Sequence, residues 1–349
     1  MPRTQNRAVL AWIIAFGSLA IVLVVYGGFV RLTRSGLSIV EWNPVMGAVP
    51  PMTQQAWQAE FAKYQLTPEY QHINMGMTVG QYKEIFLIEW LHRIIARIAG
   101  FVFAIPFVVF AWKRMIPIRE ISLYVLMGML FLAQATVGWV MVASGLVDRP
   151  AVSHFLLTAH LFLALALVGI SLWTALGHAY GFPDYRHPPK WSLASTATTV
   201  GFLVLLVQMA YGGLTAGLKA GHVAETWPLM LGRLVPRGML NQIRPPLLNL
   251  VAAPLTVAFI HRWLALAVLI GALLAAWGIS GLFATPDLKF GIRLVLLMTA
   301  AQIGLGIAVV LSDVQMALAL LHQLNAVGLF AAFVYLLHRL RARDRVQAR

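Results

Sequence analysis

Apolar stretches longer than about 18 residues recur along this chain, each long enough to cross the hydrocarbon core of a bilayer. In lipid every backbone N–H and C=O must find its partner within the segment, so these stretches can only be helices or strands of a closed barrel, and their length selects helices. Eight spans follow, at 9–30, 84–112, 121–144, 153–176, 192–218, 254–282, 290–311 and 315–338. With 60% apolar and only 11% charged residues, the chain reads as an all-α integral membrane protein. The first run is too long for a signal peptide and lacks a small-residue cleavage site, so it is expected to be a retained helix.

A net charge of +14 would otherwise point to nucleic acid. Here the basic residues sit between and after the apolar runs, where membrane topology accounts for them. No nucleic acid is expected as a partner. Arg3, Arg7, Lys113, Arg114, Arg119, Arg186, Lys190, Lys289, Arg293 and the C-terminal Arg339, Arg341, Arg343, Arg345 and Arg349 fall on one side. That side is assigned to the cytoplasm, which places both termini there in an inner (plasma) membrane. Two long Gly/Pro-rich loops, 31–83 and 219–253, then face the periplasm, and Thr53–Tyr64 is expected to form a short amphipathic helix. The chain has no cysteine, which excludes disulfides, thiolate ligands and Fe–S clusters.

The two halves repeat. Tyr26-Gly27-Gly28 matches Tyr211-Gly212-Gly213, Trp42 and Pro44 are echoed by Trp227 and Pro228, and Gln134 with Gly138 matches Gln302 with Gly306. An even number of spans per half predicts a parallel repeat about an axis along the membrane normal. The expected architecture is two four-helix bundles, residues 1–180 carrying the 31–83 loop and residues 190–340.

Histidines mark the repeat most clearly. His92 pairs with His160 and His261 with His322, all at similar depth in spans that run the same way. An intramembrane imidazole is expensive and normally functional. Two facing imidazoles per bundle fit axial coordination of a haem iron. Helix–helix hydrogen bonding remains the bland alternative, and paired zinc sites would lack a third protein ligand. His154 falls on another helix face. His72, His178, His187, His222 and His338 lie in loops or at span ends and are expected to be solvated.

One element breaks the symmetry. Glu89 precedes His92 by one helical turn on the same face, whereas the second half has Ala258 there. A buried carboxylate beside one histidine pair only points to chemistry at that pair; the alternative is an ion pair with Arg93. Arg93, Arg97 and Arg262 are candidate propionate partners or snorkelling cations. Glu41 offers either a second carboxylate or a solvated charge. The Tyr-Gly-Gly motifs would allow close approach of a helix or a flat ring, and Gln134 and Gln302 are read as interhelical hydrogen bonders. The scattered methionines are read as packing.

These residues resemble the haem A synthase family over nearly the whole chain. The resemblance is carried by Arg31-Leu-Thr-Arg34-Ser-Gly-Leu-Ser-Ile-Val-Glu41-Trp42-Asn-Pro44, Glu89-Trp-Leu-His92-Arg93, Thr158-Ala-His160-Leu and Ile260-His261-Arg262. Without cysteines the chain is similar to the proteobacterial and mitochondrial subgroup. The resemblance implies that His261 and His322 ligate a resident haem b. It implies that His92 and His160 flank a substrate haem O with Glu89 essential to turnover, so that all four histidines are axial ligands of haem iron. The implied reaction oxidises a porphyrin methyl to a formyl group through hydroxylated intermediates, giving haem A for terminal oxidase assembly. Haem O synthase, cytochrome oxidase subunit I or its assembly factors, and a second copy of the chain are the implied partners. The competing reading is a non-catalytic di-haem cytochrome b. A transporter of two fused repeats would need a polar path that the sequence does not offer.

Overall fold

The computed structural model describes residues 6–43, 46–148, 150–183, 192–281 and 284–346. Arg3, Pro44, Arg186, His187, Lys190 and Arg349 lie outside them, as do the side chains of Arg343 and Arg345. Among the described residues eleven α-helices run in order: α1 (Arg7–Leu32), α2 (Gln54–Gln65), α3 (Pro68–His72), α4 (Val79–Trp112), α5 (Ile118–Ala143), α6 (His154–Tyr180), α7 (Leu193–Gly217), α8 (Asn249–Ala252), α9 (Pro254–Ser280), α10 (Pro286–Leu311) and α11 (Met316–Val346). No strand occurs among the described residues, which hold only an isolated bridge between Met230 and Arg233. Eight of the helices are long and apolar enough to span a membrane: α1, α4, α5, α6, α7, α9, α10 and α11. The chain is a multi-pass membrane protein, and its spans coincide with the eight apolar runs to within a few residues.

The chain forms two compact units, one of residues 18–167 and one of residues 1–17 with 168–349. In the first, α4 leans on α5 and on the short α2 of the long loop. Thr53 caps α2 by accepting from the Ala56 N–H at 3.2 Å, an end the amphipathic pattern anticipated. Trp57, Phe61 and Tyr64 of α2 bury against Tyr82 and Phe86 at the start of α4. This aromatic cluster ties the loop to a membrane helix by apolar contact. Burial raises the Tyr64 phenol to about 12, and the Asn74 side-chain amide donates to its oxygen at 2.7 Å.

In the second unit α7 packs on α9, α9 on α10, α10 on α11, and α11 on α7. The α7–α9 contact is the closest. A Cβ on Gly271 would stand 2.9 Å from the Gly201 Cα, and one on Gly278 would stand 2.6 Å from the Ala194 nitrogen. Small residues let two backbones touch where lipid gives no hydrophobic drive to hold them together. His338 departs from the sequence expectation. It is fully buried, because α11 continues beyond it, and its ring sits edge-on to Trp173 at 4.9 Å. His72 and His222 are exposed as expected.

The close approach gives a first prediction. Gly271→Val forces α7 and α9 apart and should destabilise the protein by about 1–3 kcal/mol, the usual range for overpacking. Thermal unfolding in detergent, followed by tryptophan fluorescence, reads this as a lowered midpoint; an unchanged midpoint would show that the contact is not tight.

Candidate functional site

Each histidine of the two pairs rests on a glycine of a neighbouring helix. A Cβ on Gly27 (α1) would stand 3.3 Å from His92 Nε2 (α4), and one on Gly138 (α5) would stand 2.8 Å from His160 Cε1 (α6). In the second unit, Gly212 (α7) and Gly306 (α10) would meet His261 (α9) and His322 (α11) Cε1 at 3.2 and 3.1 Å. The repeated glycines are therefore seats for the repeated histidines. Any side chain there would displace an imidazole.

Each ring faces the backbone of the residue one turn before its glycine: Leu23 for His92, Gln134 for His160, Gln208 for His261 and Gln302 for His322. His261 Nδ1 donates to the Gln208 carbonyl at 3.2 Å, and the Gln208 side-chain amide donates back to the His261 carbonyl at 2.8 Å. The Leu23 backbone faces the His92 ring, one turn before Gly27 as Gln208 is before Gly212. A backbone partner of this kind fixes the tautomer of a metal-binding histidine and leaves Nε2 to the metal. His92 also stacks parallel to Tyr26 with centroids 6.1 Å apart. His160 Nε2 and His322 Nε2 each also accept from a glutamine side-chain amide at 3.1 Å, that of Gln134 and that of Gln302. Their Nδ1 atoms are buried without a partner. The glutamines were expected to bridge helices, and they do so through the histidines.

The rings of His261 and His322 stand nearly perpendicular, at 83°, with centroids 6.4 Å apart. A metal–imidazole bond is about 2 Å and a ring nitrogen lies roughly 1.1 Å from its centroid, so two axial imidazoles on one ion hold their centroids about 6 Å apart. The pair fits that requirement. Among the described residues no three His, Cys, Asp or Glu side chains gather as a metal-ion site. The donor set suits an iron whose equatorial ligands come with a porphyrin, rather than a bare ion.

Glu89 is buried, 3% exposed, and heavily engaged. Its Oε2 accepts from the Ser38 hydroxyl at 2.7 Å and from the Ser38 and Ile39 N–H groups at 2.9 and 3.0 Å. Its Oε1 accepts from Arg93 Nη2 at 2.6 Å and Nε at 3.1 Å. Arg93 goes on to the carbonyls of Ile39 and Glu41 at 3.2 and 3.4 Å. The ion pair and the placement beside His92 are thus both present, in one clasp that holds the loop after α1 against α4. Arg97 extends it, donating to the Asn43 carbonyl at 3.1 Å.

The second unit repeats the clasp without the acid. Arg262 donates to the carbonyls of Thr226, at 2.8 Å, and Ala224, the same i and i+2 pattern, while Ala258 lies buried where Glu89 would be. All three arginines read as propionate partners thus hold loop carbonyls. Glu41 turns outward, 51% exposed, to Lys63 at 3.0 Å. Those contacts hold its carboxyl below the usual range. It is a loop tie rather than a second carboxylate facing the histidines.

Sequence reasoning passed over Ser38 and Asn325. Asn325 donates to Gln302 Oε1 at 2.7 Å and to the Met298 carbonyl at 2.9 Å. Its signal was available, since it lies three residues after His322 and so shares that histidine's face.

The family model described as "Cytochrome oxidase assembly protein" matches residues 10–334. "Heme A synthase" of Maricaulis maris is 40% identical over 341 residues, covering 95% of both chains. "Heme A synthase" of Sphingopyxis alaskensis is 40% identical over 344 residues, 97% of this chain and 94% of that one. That of Chelativorans sp. is 44% identical over 317 residues, 88% of this chain and 83% of that one. Matched from its first span to its last, the chain belongs to the cytochrome oxidase assembly protein family, beside these heme A synthases.

Proposed function

We propose that the chain is a haem A synthase, an oxidoreductase that converts a ring methyl of haem O to a formyl group through hydroxylated intermediates. His261 and His322 hold a resident haem b, and His92 and His160 flank the substrate haem O. The observation that carries the division is buried Glu89 beside His92, where the other pair, His261 and His322 at 6.4 Å, has Ala258. The functional halves are residues 1–180 and 190–340. The reading places the protein in the inner membrane, with both termini cytoplasmic and the two long loops periplasmic. It makes haem O synthase, oxidase subunit I or its assembly factors, and a second copy the natural partners.

Bound haem b would supply one-electron chemistry at its iron. This chain's own residues hold, orient and charge the site. His261 presents Nε2 because its Nδ1 proton is committed to Gln208. Glu89 contributes a fixed negative charge one turn from His92, where a carboxylate stabilises positive charge developing on a substrate carbon. Its five hydrogen bonds keep that charge in place and fix the Ser38–Ile39 backbone at the same time. The Gly138 seat sets how near the His160 ring comes to α5.

The acid and the ring seats can each be tested by substitution. Glu89→Gln removes the charge and exchanges one acceptor for a donor facing Arg93 or the loop N–H groups. It should lower haem A formation by about 100-fold, the loss typical of a preorganised electrostatic group, while haem b content stays at the wild-type level. Haem extraction from cells supplied with haem O reads both quantities, and wild-type conversion would remove Glu89 from the mechanism. His322→Ala should abolish the low-spin haem b spectrum of the purified protein, whereas Gly138→Ala should retain it and lose turnover. A spectrum that survives His322→Ala would mean that the resident haem is held elsewhere.

A further inference from the structure

Residues 219–253 join α7 to α9 outside the apolar spans, and their short helices pack on α9. Met230 is fully buried in a cluster with Leu255 and Ala258, and the Thr256 hydroxyl donates to the Met239 carbonyl at 2.6 Å. The loop is therefore held at the depth where the α9 span begins, at the edge of the bilayer. One side chain organises its second part. Fully buried Asn249 accepts from the Gln242 and Ile243 N–H groups, each at 3.0 Å, and its amide donates to the Ile243 and Pro246 carbonyls, each at 2.8 Å.

This fixed backbone displays apolar side chains outward. Leu231 is 62% exposed, Leu234 55% and Leu247 78%. Leu231 takes the first corner of a two-residue turn, Leu231-Gly232. Met230 and Arg233 close it, each N–H donating to the other's carbonyl, at 2.7 and 3.1 Å. Both corners have positive φ, 52° and 77°, the conformation that selects Asn-Gly or Gly-Gly at such a turn. A leucine there is strained, and at that exposure folding recovers little by burying it. An apolar side chain held out at a strained corner points to a medium outside the chain that takes it up.

Charge names the medium. Arg233, Arg237 and Arg244 are exposed in the same loop, against one acid, Glu225. Leucines beside arginines, at the edge of a span, match the boundary between acyl chains and anionic headgroups. The loop is also continuous at both ends with helices that cross the membrane. We propose that residues 229–250 form an interfacial element that rests in the headgroup layer of the protein's own bilayer. Leu231, Leu234 and Leu247 enter the acyl boundary, and Arg233, Arg237 and Arg244 hold phosphates of anionic phospholipid. No histidine takes part, so this role stands whether or not the pairs hold haem.

Because the chain has no cysteine, one introduced cysteine carries a unique spin label on the full-length protein. Leu231→Cys, Leu247→Cys and, as a reference in water, Glu225→Cys are labelled and reconstituted into vesicles of phosphatidylcholine with phosphatidylglycerol. Oxygen, which concentrates among acyl chains, should relax the labels at 231 and 247 more than the label at 225. A neutral, water-soluble nickel chelate should relax them less. One arginine at an anionic surface is worth about 5-fold in bound population. Arg237→Gln should therefore raise nickel access at 231 about 5-fold with phosphatidylglycerol present, and leave it unchanged in pure phosphatidylcholine. Labels at 231 and 247 as open to nickel as the label at 225 would overturn the proposal. So would nickel access that ignores both Arg237 and lipid charge. Shielding with dipolar broadening between labels would assign the face to a second copy instead. Shielding in native membranes but not in vesicles would assign it to a protein partner, and either result removes the lipid role.

Discussion

An imidazole inside an apolar helix needs a polar partner and room for its ring, and the rest of this structure depends on how both needs are met. A glycine on the neighbouring helix supplies the room, and the same neighbour supplies the partner one turn earlier. Leu23 and Gly27 serve His92, Gln134 and Gly138 serve His160, Gln208 and Gly212 serve His261, and Gln302 and Gly306 serve His322. One four-residue spacing therefore does both jobs on one helix face. Helix pairs α1–α4, α5–α6, α7–α9 and α10–α11 meet through that fit, since a shifted register would bring a side chain larger than glycine against the ring.

The loops after α1 and α7 are set by a second repeated device. Arg93 and Arg262 each reach out of a histidine-bearing helix to two loop carbonyls separated by one residue. An arginine can do this because its planar fork offers several donors at fixed angles. The histidine next to each arginine is therefore rigidly related to a stretch of loop backbone. In the first unit Glu89 closes the circuit from below, accepting from the loop N–H groups while Arg93 donates to the loop carbonyls. Peptide groups that would otherwise sit unpaired beside a membrane helix are satisfied on both edges.

Much of this was legible in the sequence, and what escaped did so for definable reasons. The eight spans were readable because bilayer crossing demands length and apolarity, which a sequence displays directly. Helix α2 was readable from its amphipathic pattern between Thr53 and Tyr64. The histidine pairs emerged because duplication lent each weak signal a second copy. The glycine seats were visible only as a loose allowance for close approach, since their partners lie on other helices. His338 was misread because the last helix runs past the apolar stretch that defined its end, and a ring near such an end looks solvated until Trp173 covers it. Glu41 was ambiguous for the opposite reason: its partner Lys63 sits across the loop, at a separation that no periodicity reports. Asn325 escaped because it has no duplicate.

Duplication and departure from it thus carry different information. Whatever both halves share answers a problem both halves have, namely seating a ring, pairing its nitrogen and clasping a loop. Whatever they do not share cannot be explained by burial alone, because the other half is buried equally well without it. Ala258 shows that the clasp forms without an acid, and Leu163, three residues after His160 as Asn325 is after His322, shows that a glutamine can face a histidine with no donor behind it. Glu89 and Asn325 are therefore additions with local purposes. One adds charge to a single pair, and the other removes freedom from the opposite pair. They fall in different halves.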